Sequence, residues 1–229
     1  MRGTRDDGPA RDTPGGIGQC NDTTGPVLPV WGRGELRDDR EVISASLKGR
    51  LLIASPALTD PNFDRTIVLM LEHTDDGALG LVLNRPSDTA LSELLPSWGL
   101  DAVEPSVVFL GGPVSPDSAI GLAFTGDGAE AAAPDGWIPL LGSLGTVDLA
   151  RDPTEVRPSV RALRVFAGYA GWSGGQLEHE LQAGGWFVAD SELDDALTRE
   201  PEMLWRQVLR RQRGSLSWLA NFPADPASN

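Results

Sequence analysis

Three short apolar runs, Leu51–Ala54, Ile67–Leu71 and Leu79–Leu83, alternate with turn residues in the stretch Gly49–Pro86. Each is rich in branched side chains and too short for a helix, so each reads as a buried strand. Ser55-Pro56 ends the first, because the residue before a proline is pushed out of the α region. Asp60-Pro61-Asn62 turns the chain, and Asp75-Asp76-Gly77 supplies the glycine that a tight hairpin requires. The rest of the chain is expected to build on this unit.

Beyond it the pattern alternates strands with brief helices. Ser87-Asp88-Thr89 reads as a helix cap, followed by Leu91, Leu94 and Leu95 on one helical face that stops at Pro96. Val107–Leu110 is a strand that ends in Gly111-Gly112-Pro113-Val114, and Ala119–Phe124 is the next strand. Residues 126–136 form a loop, and Trp137–Leu141 with Thr146–Leu149 reads as a strand pair. Asp152-Pro153-Thr154-Glu155 opens a helix cut short by Pro158. After the strand Leu163–Ala167, the glycine-rich run Gly168–Gly175 reads as a loop before an amphipathic helix. Ser173 and Gln176 form its capping-box pair, Leu177 and Leu181 share a face, and Gly184 is the stop. Trp186–Ala189 is a strand. A helix from Pro201 places Leu204, Trp205, Val208 and Leu209 inward and ends in cations, as the helix dipole favours. The segment after Ser215 is expected to pack through Leu216, Trp218 and Phe222.

Residues 1–44 lack any such pattern. They are rich in Gly, Pro, Asp and Arg, and bury too little apolar surface to offset ordering entropy. They are expected to form a disordered or loosely docked arm, with Val27–Trp31 as the docking element. A single domain over 45–223 and a frayed tail over 224–229 complete the division.

Charge narrows the partners. The formal net charge is -14, and Lys48 is the single lysine among 19 cationic residues. An acidic surface repels phosphate backbones, so nucleic-acid binding is disfavoured. Arg206, Arg210 and Arg213 do share a helix face, most simply a solvated one. Cys20 is the sole cysteine, which excludes an internal disulfide and a thiolate metal cluster. No apolar run is long enough to span a membrane and the N-terminus has no secretory signal, so the expected location is the cytoplasm.

Candidate chemistry is sparse. Gly171-Trp172-Ser173-Gly174-Gly175 fits G-x-S-x-G between a strand and a helix, the setting of a hydrolase nucleophile. A serine nucleophile needs a histidine base within hydrogen-bond reach. His179 lies six residues on in the same helix, roughly 9 Å along its axis. His73 would have to come from the first hairpin. Ser173 therefore reads more simply as a cap, and His73, beside Glu72, as a surface or rim residue. The backbone N–H groups of Gly174 and Gly175 at a helix start offer a weaker anion-binding reading. Asp60, Asn62, Asp64 and Arg65 surround Phe63 in the first turn, either as an Asx turn with a local ion pair or as a converging ligand site. Arg85, in Asn84-Arg85-Pro86, is placed to meet an anion or a carboxylate.

Several separated stretches, in order, resemble the AlgH/YqgE family of bacterial proteins. They are SPALTDPNFDRTIVLMLEH, GALGLVLNRP, GGPV at Gly111–Val114, GYAGWSGGQLEHEL at Gly168–Leu181, and the Trp205 helix. The similarity covers Leu47 to Pro223 and leaves the N-terminal arm outside. It implies an α+β fold, a mixed bifurcated β-sheet folded into a pseudo-barrel with helices packed outside. The family name comes from a proposed role in regulating alginate synthesis, and its members carry the label of transcriptional regulator. No reaction, ligand or cofactor comes with the resemblance.

These readings converge on a cytosolic, non-enzymatic regulatory protein that binds an unknown protein partner or a small anionic ligand. The candidate binding residues are Asp60, Asn62, Phe63, Arg65, Asn84, Arg85, Gly112, Pro113, Trp172 and Gln176, which sit at turns and strand ends where sites usually form. No catalytic residue, metal site or cofactor is expected. The alternatives are an enzyme acting on an anionic substrate through Ser173 or His73, and a transcriptional regulator.

Overall fold

The computed structural model describes residues 46–126, 136–156 and 158–222. The expected arm with Cys20 and Val27–Trp31, residues 127–135 of the expected loop, and Pro223 with the tail lie outside the described residues.

The strands are β1 (Arg50–Ala54), β2 (Ile67–Thr74), β3 (Gly77–Val82), β4 (Pro86–Ala90), β5 (Val107–Leu110), β6 (Val114–Phe124), β7 (Trp137–Leu141), β8 (Leu144–Val147), β9 (Ala162–Ser173) and β10 (Trp186–Asp190). The helices are α1 (Leu91–Leu94), α2 (Pro153–Val156), α3 (Gln176–Gln182), α4 (Leu193–Ala196), α5 (Pro201–Arg210) and α6 (Leu216–Leu219), with a 3-10 turn over Pro96–Asp101. The strands run β10-β1-β2-β3-β9-β6-β8-β7. All neighbours along this path are antiparallel, while β5, paired with β4, joins β9 in parallel.

The sheet forks at β9. One edge of this strand pairs with β6. The other is shared between β5, at Phe166 and Ala167, and β3, at Ala170–Ser173. Gly111 sits in the crotch, donating to the Ala167 carbonyl and accepting from Val82 N–H. The backbones there meet too closely for a side chain. A Cβ on Gly112 would stand 2.2 Å from the Tyr169 carbonyl carbon, and one on Gly168, which also has φ +67°, 2.6 Å from the Gly112 oxygen. Glycine is thus the residue that fits the fork. The sheet also curls. A Cβ on Gly49, just before β1, would lie 3.8 Å from the Leu140 oxygen and from Leu141 Cβ of β7, so the last strand returns towards the first. The architecture is α+β, a bifurcated sheet curled into a half-barrel with helices packed on it.

Period-two alternation divides the first strands between two cores. Leu51, Ile53, Ile67, Leu69, Leu81 and Leu83 face one core, closed by Leu204, Trp205, Val208 and Leu209 of α5. Leu52, Ala54, Val68, Met70 and Val82 face the other, closed by Leu177 and Leu181 of α3. A third cluster joins Leu91, Trp98, Val156 and Val160 to Val108, Leu163 and Val165. The first three strands, the α2 turn, and the α5 stripe match the sequence reading.

Other elements differ from it. Ser87-Asp88-Thr89 is not a helix cap but part of β4, and Leu94 is 61% exposed rather than on an inner face. Gly168–Ser173 is not a loop; it is the second half of β9, because β3 offers it a partner edge. The N-cap of α3 is Gly175 rather than Ser173. β8 begins at Leu144, and Gly145 lies inside it because the Trp137 ring crosses that position. The C-terminal segment packs through Leu219 and Ala220, leaving Trp218 76% exposed.

Candidate functional site

The turn between β1 and β2 is rigidly built. Asp60 Oδ1 accepts from Asn62 N–H at 2.8 Å, an Asx turn, and the Asp60 carbonyl accepts from Phe63 and Asp64. Arg65 then takes a left-handed conformation, φ 52°, which costs a non-glycine residue about 1–2 kcal/mol. Asn84 holds it there. Its Nδ2 donates to the Arg65 carbonyl and its Oδ1 accepts from Ile67 N–H, both at 2.9 Å. Arg85 donates to the Asp64 carbonyl at 2.7 Å. The Arg65 guanidinium lies 5.1 Å from the Trp205 ring centroid and donates to the Phe222 carbonyl, with the Asp64 carboxylate 4.0 Å from its Nε. Two guanidinium groups are thereby brought to one corner of an acidic protein.

Phe63 points from the same turn into an aromatic trio. Its ring centroid is 6.3 Å from Trp172 and 5.4 Å from Trp186, and the two indoles are 6.0 Å apart. Glu180 of α3 ties the trio down. Its Oε2 accepts from the indole N–H of Trp172 at 2.9 Å and of Trp186 at 2.8 Å, and its Oε1 from Gln176 Nε2 at 3.0 Å. Gln176 Oε1 accepts in turn from the backbone N–H and hydroxyl of Ser173. Sequence reasoning missed Glu180 and Trp186. The available signal was the i, i+4 spacing of Gln176 and Glu180 on α3, one turn ahead of a tryptophan-bearing strand.

The structure therefore sorts the candidates into two groups joined by one turn. Phe63, Trp172 and Gln176 belong to the aromatic group. Arg65, Asn84 and Arg85 form the corner, whereas Gly112, followed by Pro113, lies at the β9 fork against Tyr169. Asp60 and Asn62 are exposed on the turn between them.

His73 is not a rim residue. Its side chain is 8% exposed, its Nδ1 accepts from Leu47 N–H at 3.1 Å, and its Nε2 donates to Glu178 Oε1 at 2.7 Å. Both ring nitrogens are engaged, and the Ser173 hydroxyl is turned to Gln176; no hydrogen bond joins Ser173 to an imidazole among the described residues. Nor do any three His, Cys, Asp or Glu side chains among these residues form a metal-binding group. No helix of the described residues is long and apolar enough to cross a membrane.

A family model described as AlgH-like matches residues 51–217. This chain belongs to that family. It is 53% identical over 186 residues to a UPF0301 protein of Streptomyces coelicolor, covering 81% of this chain and 96% of the relative. A protein of Corynebacterium diphtheriae, solved by X-ray crystallography, is 34% identical with a TM-score of 0.73, over 76% of this chain and 92% of that one. The solution structure of the AlgH protein of Pseudomonas aeruginosa is 30% identical with a TM-score of 0.58, over 80% and 97% of the two chains.

Proposed function

We propose that this AlgH-like protein is a non-enzymatic, cytosolic regulatory protein that binds an anionic group, carried by a protein partner or a small ligand, at the Arg65–Arg85 corner. The observation that carries this reading is the left-handed Arg65, kept beside Arg85 by the Asn84 clamp. Strain retained in a rigid turn is characteristic of sites that present side chains. The hydrolase alternative is disfavoured by the hydrogen bonding of Ser173 and His73, and direct DNA binding by the net charge of -14.

The test is a titration of the full chain with inorganic phosphate and with an acidic peptide, followed by amide spectra. Saturable shifts confined to residues 60–66 and 84–86, lost in Arg85→Ala, are expected. Shifts that persist in Arg85→Ala would refute the assignment. Turnover of ester or phosphoester substrates that disappears in Ser173→Ala or His73→Ala would replace it with an enzyme.

A further inference from the structure

Residues 46–49 lead into β1 as a short turn fixed against β2. Leu47 is 2% exposed and packs with Leu52, Val68, Met70 and Trp186. Gly49 N–H donates to the Met70 carbonyl at 2.8 Å, and Ser46 Oγ donates to the His73 carbonyl at 3.1 Å. Between these two ties the Leu47 N–H donates to a side chain, His73 Nδ1, at 3.1 Å. Residues 1–45 are joined to β1 through this turn.

The hydrogen bonds define the protonation state of the ring. Nδ1 accepts, so it holds a lone pair; Nε2 faces the Glu178 carboxylate at 2.7 Å and carries the proton. A second proton bonds to the Nδ1 lone pair, and two N–H donors then point at each other. The Nε2–H bond to Glu178 is kept and becomes an ion pair, so protonation breaks one contact of the ring and strengthens the other. The Leu47 amide is left as a buried donor without its acceptor, which is costly.

The charges around the ring are few. α3 presents Glu178, and β3 presents the uncharged Ala78 opposite His73. Glu180 is turned to the two tryptophans. Lys48 on the turn, Glu72 on β2, Asp75 and Asp76 in the hairpin and His179 on α3 are exposed.

We infer that His73 is a proton-operated latch: a proton added at Nδ1 frees Ser46 and Leu47 from β2, up to the Gly49 bond, and so loosens the point at which residues 1–45 are attached. The latch is distinct from the Arg65–Arg85 corner and stands or falls independently of it.

The experiment records amide exchange and ring-nitrogen spectra of the isotope-labelled full chain from about pH 8 to about pH 5, the range in which histidines ordinarily gain a proton. Protection at Leu47, corrected for the intrinsic pH dependence of exchange, should fall by about tenfold or more as Nδ1 is protonated, while Gly49 and Val68 keep theirs. His73→Asn places an amide oxygen that does not titrate near the position of Nδ1, so Leu47 should stay protected throughout. Protection at Leu47 that holds while Nδ1 takes up its proton would overturn the inference. A ring that takes up no proton in this range would do the same, as would a fall shared equally by Val68 or one that persists in His73→Asn. The titration of the native chain decides the matter by itself if the variant does not fold.

Discussion

Asn84 illustrates what one side chain accomplishes here. Its amide satisfies a carbonyl and an N–H of the same turn, on either side of a left-handed arginine. Asn84→Ala should destabilise by about 1–3 kcal/mol, because both backbone groups lose a partner; urea unfolding measures it. Arg65→Gly removes the backbone strain and one cation together, so it should leave stability within about 1 kcal/mol while weakening anion binding at the corner. Glu180 carries more. Glu180→Ala leaves two buried indole N–H groups unpaired and should cost about 2–4 kcal/mol, with altered tryptophan emission as a second readout. The motif residues that surround these hubs were visible in the sequence. Their partners were not, since Trp172 and Trp186 meet Glu180 only after α3 folds back across the sheet.

At the level of elements, α4 is held by a buried ion pair that sequence reading did not find. Asp195 accepts from Glu192 N–H in a capping box and from the Arg211 guanidinium just beyond α5. Arg211 is partly desolvated, yet the hydrogen bond and charge of Asp195, with Glu192 and Asp190, hold it above its ordinary value. Asp195→Asn should cost about 1–3 kcal/mol and loosen α4, measured as faster amide exchange over residues 193–196. The short strands β1 to β3 and the α5 stripe were legible because their local pattern has a clear period. β4 was not, because Pro86–Ala90 is polar and becomes a strand only by lying beside β5. Nor was the second half of β9, whose glycines suggest a loop until β3 supplies a neighbouring edge.

Across the whole molecule, the fork at β9 sets where each motif ends up. Gly168→Ala should be severely destabilising, since its Cβ would meet the backbone of Gly112 and Val114 as well as an unfavourable φ; thermal melting checks it. Anion binding at the half-buried Arg65–Arg85 corner rests on local attraction between charges, so it should weaken with added salt, which a titration repeated over ionic strength checks. The chain by itself determined the strand-forming runs, the main helix, the acidic surface and membership of the AlgH-like family, all of which rest on local period, composition or motif. Tertiary structure alone decided which edges pair at β9, that His73 is locked between Leu47 and Glu178, that Glu180 unites two tryptophans, and that Arg164 is buried against the carbonyls of Glu104, Ala196 and Thr198 and the Phe109 ring. Those facts depend on contacts between residues far apart in the chain, which no local periodicity encodes.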